Sequence, residues 1–191
     1  MARNNPAGDV RERLVQAALG LFAQHGVNGT SLQMIADEIG VTKAAVYYHF
    51  PSKEDLVEAV VTPYLRDLAA VVEAAEGRHR RADRLDTLLG GIIDLLVDNR
   101  ELHIALQADP VIRRHVDGRP DMRDLGMRAG LLMMGTRTDT HALIITLIVS
   151  GGLAYASTSP YLADLDDTEL RRELHTTARR ILGIKTPITQ H

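Results

Sequence analysis

An all-α fold of about nine helices is what the 191-residue sequence predicts, on three observations. Apolar residues recur at three- and four-residue steps along nearly the whole chain. The one stretch rich in β-branched residues, Leu143 to Val149, lies inside about 18 residues without a turn signal, which is too long for a typical strand. Gly and Pro close the remaining periodic segments, and no internal repeat is visible.

The first helix is expected from Asp9 to His25, with Leu14, Ala17, Ala18, Leu21, Phe22 and His25 on one face. Gly26 fits the left-handed residue that stops it, and Asn28-Gly29 signals a turn. Thr30 reads as the next N-cap, with Gln33 completing a capping box, and Leu32, Ile35, Ala36 and Ile39 form the apolar face up to Gly40. Thr42 caps a third helix through His49, closed by Phe50-Pro51. Ser52 opens a fourth, with Asp55 as its box partner. Leu56, Val60, Tyr64, Leu68, Val71 and Val72 keep helical step to Gly77, with a kink expected near Thr62 because Pro63 removes a hydrogen bond.

Arg78 to Arg84 is a basic connector, read as a solvated loop or as a second DNA contact. Helices follow over Leu85–Val97 and Glu101–Ala108, whereas Asp109 to Pro120 is expected to be a loop with one helical turn at most. Met122 to Met134 is helical by spacing, although Gly126 and Gly130 each weaken it by about 1 kcal/mol relative to Ala. Asp139 to Ser157 is apolar nearly all round and so needs cover on both sides. A last helix, Asp167 to Leu182, carries the stripe Leu170, Leu174, Thr177, Ala178, Ile181 and Leu182, with Arg171, Arg172, Arg179 and Arg180 on other faces.

Composition narrows the chemistry. With 45% hydrophobic and 25% charged residues the chain is an ordinary globular protein, and 4% aromatics without Trp make its core aliphatic. The absence of cysteine excludes disulfides, thiolate metal sites and thiol nucleophiles. Twenty-two Lys+Arg against 25 Asp+Glu give a net charge of −3, so any nucleic-acid binding must come from a local patch. Met1 to Asp9 are polar, and the most apolar run, Ala142 to Val149, is far short of the ~20 residues of a membrane span. A cytoplasmic protein with no membrane partner is expected.

Two short helices joined by a tight Gly-containing turn have the pattern of a helix-turn-helix. Ala36 is small where crossing helices touch, Gly40 supplies the left-handed turn, and Val46 plugs the gap with Ile35, Ile39 and Val41. The second helix then presents Thr42, Lys43, Ala44, Tyr47 and Tyr48, small enough to approach a groove floor and polar enough to reach phosphates. One of the two tyrosines is equally well placed to be a core aromatic, since a short helix has a buried side.

Residues 10–60, above all Thr30-Ser31-Leu32-x-x-Ile35-Ala36-x-x-Ile39-Gly40-Val41-Thr42-Lys43-x-x-Val46-Tyr47-Tyr48-His49-Phe50-x-Ser52-Lys53-Glu54-x-Leu56, resemble the DNA-binding region of the TetR family of bacterial transcriptional regulators. The resemblance implies a helix-turn-helix DNA-binding domain over 1–52, a helical ligand-binding and dimerisation domain over 53–185, and a tail at 186–191. It implies a homodimer, paired through the last two helices, whose recognition helices enter successive major grooves of a palindromic double-stranded operator. A small hydrophobic effector in the larger domain would release a repressor from that DNA.

By position, Thr42, Lys43 and Ala44 are the candidates for base-edge contact; the resemblance implies that Tyr47, Tyr48 and His49 lie against the sugar-phosphate backbone; and Thr30, Ser31 and Lys53, at helix starts, are expected to grip phosphates. Arg3, Arg11 and Arg13 add charge from an arm. For the effector pocket the candidates are Tyr64, His103, Gln107 and Tyr155 as polar contacts, with Met127, Leu131 and Met134 as a pliable wall or simply core. His103 is otherwise a surface histidine.

No cofactor, metal or catalytic residue is expected. His49 has no Ser, Cys or carboxylate placed by motif to work with it, and His103 and His175 each lack a second His at helical reach. The alternatives are an all-α enzyme using the same pocket, for which no phosphate loop or nucleophile elbow is present, and a dimeric partner-binding module. The second draws on a count over residues 1–55: Lys/Arg at 3, 11, 13, 43 and 53 against Asp/Glu at 9, 12, 37, 38, 54 and 55, a net of −1.

So weak a local charge predicts few phosphate contacts per subunit. A fluorescence-anisotropy salt titration on operator DNA should give a shallow slope of log affinity against log salt, and a steep one refutes this.

Overall fold

The computed structural model describes residues 6–184 except residue 138, with side chains from residue 10 onward. Among these residues there are ten α-helices, one 3-10 turn and no strand. The helices are α1 (Pro6–Gly29), α2 (Leu32–Ile39), α3 (Lys43–His49), α4 (Lys53–Glu76), α5 (Arg81–Asp98), α6 (Arg100–Ala108), α7 (Pro110–Asp117), α8 (Pro120–Met134), α9 (Thr140–Ala156) and α10 (Asp167–Ile181). The 3-10 turn is Pro160–Leu162. Residues 186–191, the expected tail, and Arg3 lie outside the described residues.

Most boundaries follow from local chemistry. Thr42, Asp139 and Asp166 cap α3, α9 and α10, their side chains accepting the N–H of Ala45, Ala142 and Glu169. Ser52 and Asp55 form the expected reciprocal box, Asp55 Oδ2 accepting the Ser52 N–H and Ser52 Oγ the Asp55 N–H. Gly26 has φ 70° and ψ 167°, so the helical path stops there before one further turn to Gly29. α4 runs unbroken through Pro63.

Two expectations are corrected. The N-cap of α2 is Ser31, whose Oγ accepts the Met34 N–H at 3.1 Å, while Thr30 turns inward and is 1% exposed. Gln33 bonds Asp37 instead of closing a box. Residues 110–117 are also a full helix, which makes ten rather than about nine. Asp109 Oδ1 accepts the N–H of Val111 and Ile112, and Pro110 occupies the first helical position, where its missing N–H costs nothing.

The chain forms two units. The first takes residues up to Tyr64 together with Glu101–Arg119, and the second takes Leu65–Arg100 and the residues from Pro120 onward. This partition differs from the division at residue 52 because α4 is one continuous helix and α6–α7 belong with the first unit. Leu14, Ala18 and Phe22 of α1, Ile35 and Ala36 of α2, Val46 of α3, and Phe50 and Leu56 fill the first core. Ile39 and Val41, expected beside them, are only half-buried. α7 is tied to α4 by Glu58, which accepts from Arg119 Nη1 at 2.6 Å and pairs with His115 Nε2 at 2.8 Å. The Arg119 guanidinium, with help from the Thr62 hydroxyl and His115, holds the Glu58 carboxyl down at about 2.

In the second unit, Leu85, Leu88, Leu89 and Ile93 of α5 are buried with Leu170 and Leu174 of α10. Arg171 bridges Asp94 and Asp98 of α5, and the buried Arg179 pairs with Asp86. The β-branched stretch Leu143 to Val149 is helical, within α9, as its length predicts, and no helix of the described residues is long and apolar enough to cross a membrane.

Adjacent glycines of α5 provide a test. A Cβ on Gly91 would stand 2.6 Å from Val71 Cγ1, whereas one on Gly90 meets nothing within 4 Å. Gly91→Ala should destabilise by about 1–3 kcal/mol through overpacking. Gly90→Ala should be neutral or stabilising by up to about 1 kcal/mol through helix propensity. Thermal melts showing the same sign for both would contradict the packing described.

Candidate nucleic-acid interface

The geometry of α2, the turn and α3 begins with Gly40. Its φ of 71° and ψ of 38° are left-handed, and its N–H donates to Ala36 and Asp37 while the Val41 N–H returns to Ala36 O at 2.9 Å. That reversal starts α3 at a fixed angle, and the wholly buried Val46 holds α3 down. With only seven residues, α3 has one buried side, and the rest faces solvent.

Thr42, Lys43 and Ala44 are exposed at its start, and Thr42 Oγ1 is engaged in the cap at 3.2 Å from Ala45 N. Tyr47 is 48% and Tyr48 84% exposed, so neither is a core aromatic. Lys43 Nζ lies 5.7 Å from the Tyr47 ring centroid, a cation–π distance that groups charge and ring. The His49 ring meets Tyr48 edge-on at 5.2 Å and is half-buried. Asn28, Ser31, Lys43, Tyr47, Ser52 and Lys53 line one open cleft of about 450 Å³. Several of the residues expected to meet DNA therefore do converge.

Some expected contacts are corrected. Thr30 cannot grip a phosphate with its side chain: it is buried, with Oγ1 donating to Gly26 O at 2.8 Å and its N–H to the same carbonyl. Lys53 Nζ is tied to Val27 O at 2.9 Å and Thr30 O at 3.1 Å, so at most one of its donors points outward. In the expected arm, Arg11 stacks over Phe50 at 4.9 Å and Arg13 Nη2 donates to Ile39 O at 2.9 Å. Both help to assemble the domain. Asn28 and Ser52, which also line the cleft, were missed because single polar residues in turns carry no periodic signal.

An open-faced helix-turn-helix on a small aliphatic core is the arrangement by which helical DNA-binding modules present a recognition helix. The sequence profile described as bacterial regulatory proteins, tetR family, matches residues 14–60. Over 54 residues the chain is 44% identical to the HTH-type transcriptional regulator AcrR of Shigella flexneri, spanning 28% of this chain and 25% of that protein. It is 43% identical over 60 residues to a probable acrEF/envCD operon repressor of Escherichia coli K12, spanning 30% and 27%. The matched region is thus about a quarter of the length of these relatives.

Across nearly the full chain the fold agrees with solved structures. For the ketosteroid transcriptional regulator KstR2 of Mycobacterium tuberculosis the TM-score is 0.72 at 17% identity, covering 95% of each chain. For Mycobacterium smegmatis AmtR it is 0.74 at 24% identity, covering 93% and 87%. Residues 14–60 are thus similar to the DNA-binding region of the tetR family of bacterial regulatory proteins, and the rest of the chain shares the all-helical fold of these solved structures.

The candidate effector residues are dispersed. In the first unit, Gln107 is exposed, while His103 is 7% exposed, contrary to a surface histidine, and meets the half-buried Tyr64 ring edge-on at 5.0 Å. In the second unit, Met127 and Tyr155 are exposed, as is Leu131, which lines a cleft of about 360 Å³ with Arg81, Arg84 and Arg128, and Met134 is half-buried. Burial pushes the Tyr64 hydroxyl up to about 12 and His103 down to about 4, and His103 Nε2 has no hydrogen-bond partner.

The consequence for stability has a definite sign. Between pH 6.5 and 4 the unfolded chain takes up the His103 proton and the native chain does not, so this residue lowers stability as the pH falls through that window. His103→Leu removes the effect. Its melting temperature should drop less than that of the wild type from pH 7 to pH 4, and equal drops would contradict a neutral, buried His103.

Proposed function

We propose that this chain is a ligand-responsive transcriptional regulator, a repressor that leaves a palindromic operator when a small apolar molecule binds. The observation that carries the reading is α3. Val46 is buried beneath it while Thr42, Lys43, Ala44, Tyr47 and Tyr48 stand exposed, a helix docked by one side and available to a major groove on the other. The names of two relatives, the acrEF/envCD operon repressor and the KstR2 repressor of Mycolicibacterium smegmatis, support repression. In this reading residues 1–52 bind DNA and residues 53–185 bind ligand and dimerise, in the cytoplasm.

α9 supports the dimer. Its Leu143, Ile144, Leu147, Ile148 and Tyr155 are all exposed in the single chain, a contiguous apolar face of a kind soluble monomers rarely leave open. A second copy of α9 and α10 would cover it as a four-helix bundle, with Gly151 and Gly152 allowing close approach. The effector reading draws on a buried polar atom without a hydrogen-bond partner in each unit taken by itself, His103 Nε2 in the first and Thr146 Oγ1 in the second. Because α4 is continuous, a ligand that favours another separation of the recognition helices would shift them from the 34–36 Å repeat needed for both half-sites.

Fluorescence anisotropy with promoter DNA adjacent to the protein's own gene tests this. Two chains should bind per operator, and Lys43→Ala and Tyr47→Ala should each weaken binding by roughly 5- to 100-fold while the circular dichroism and the dimer stay unchanged. Wild-type affinity in either variant would overturn the assignment of α3.

A further inference from the structure

We propose that Asp109 is a positioning residue for DNA binding: from the corner between α6 and α7, its buried carboxylate holds the Gly26–Val27 turn that leads into the helix-turn-helix. The proposal rests on the DNA-binding reading of α3. Asp109 is 7% exposed. Its Oδ1 caps α7 through the N–H of Val111 and Ile112, while Oδ2 accepts the Val27 N–H at 2.6 Å, across 82 positions of sequence. The carboxylate therefore does two jobs with two oxygens, one inside its own element and one on the turn after α1.

The turn itself is closed almost entirely from within residues 21–53. Thr30 Oγ1 and N–H both donate to Gly26 O, and Lys53 Nζ donates to Val27 O and Thr30 O. The Val27 N–H is the buried exception, and Asp109 supplies its acceptor. Gly26 is shaped to this partner. Its φ is positive, and a Cβ there would stand 2.7 Å from Asp109 Oδ2, so the backbone at 26 and the carboxylate share space that no side chain can enter.

What the turn positions is the DNA-facing cleft. Ser31, the N-cap of α2, follows it directly, and Asn28, Gly29 and Ser31 line that cleft with Lys43, Tyr47 and Lys53. At the opposite end of α7, Arg119 and His115 hold Glu58 of α4. α7 is thus anchored at both ends within the first unit, and displacing the α6–α7 corner would strip the Val27 N–H of its acceptor and leave a buried carboxylate under-bonded. The segment at 101–119 acts as a brace that sets the entry angle of α2, and through it α3.

Asp109→Ser isolates this role. Serine caps a helix as well as aspartate does, so α7 keeps its N-cap, but it is too short to reach Val27 as well. Asp109→Asn is the second variant, with one carboxamide oxygen for two sets of donors. Two measurements on the full-length protein decide the matter, anisotropy with promoter DNA and hydrogen exchange of the amides at 26–31 without DNA.

The expected result is faster exchange at 26–31 and affinity lower by roughly 5- to 100-fold, the range expected for one buried donor left unsatisfied. The salt slope should match the wild type, because no phosphate contact is lost. Wild-type affinity in both variants, with the wild type itself binding DNA, overturns the proposal. So does weakened binding with unchanged exchange at 26–31. If the wild type binds no promoter fragment, the reading of α3 fails instead, and the exchange data still decide whether Asp109 holds the turn.

Discussion

The constraint on which the rest depends is the small core beneath α3. Seven residues cannot hold a helix in water unaided, since nucleation costs more than two turns of hydrogen bonds return. Val46 and the flanking Phe50, sealed against Ile35, Ala36 and α1, supply the missing stabilisation. Gly40 makes the geometry possible, because its left-handed conformation turns the chain within one residue without straining a side chain. One side of α3 is thereby fixed and the other left to solvent.

Around this core the polar groups divide their work in a way that residue type alone does not reveal. Thr30, Lys53, Arg11 and Arg13 belong to types that commonly contact phosphates, yet here they close backbone carbonyls or cover an aromatic ring. The first unit thus employs much of its own sparse positive charge in its assembly. That leaves Lys43, exposed beside Tyr47 at the start of α3, as the prominent charge of the α3 face.

The second unit has a different imbalance. α5 and α10 are joined by an aliphatic seam and by Arg171 and Arg179 on aspartates, while α9 keeps one side inward through Ala142, Thr146, Val149 and Leu153 and turns Leu143, Ile144, Leu147 and Ile148 outward. A helix of that composition is soluble only if something covers the outer side. The single chain is therefore a half-satisfied object, and the dimer proposed for it follows from the same apolar residues that make α9 a helix of the core.

Sequence by itself determined nine of the ten helices, the turn at Gly40, the caps at Thr42 and Ser52, and the face of α3, because each depends on interactions within about four residues or on a simple apolar period. The helix at 110–117, expected as a loop with one turn at most, had only the local signal of Asp109-Pro110, an N-cap followed by the residue that suits the first helical position. Only the tertiary structure decided that Thr30 lies inside, that Lys53 faces carbonyls, that His103 is buried, and that Asp109 accepts from Val27. A backbone N–H carries no residue identity and its partner is 82 positions away, so no local pattern records the bond; it exists only once packing brings α7 beside the turn after α1.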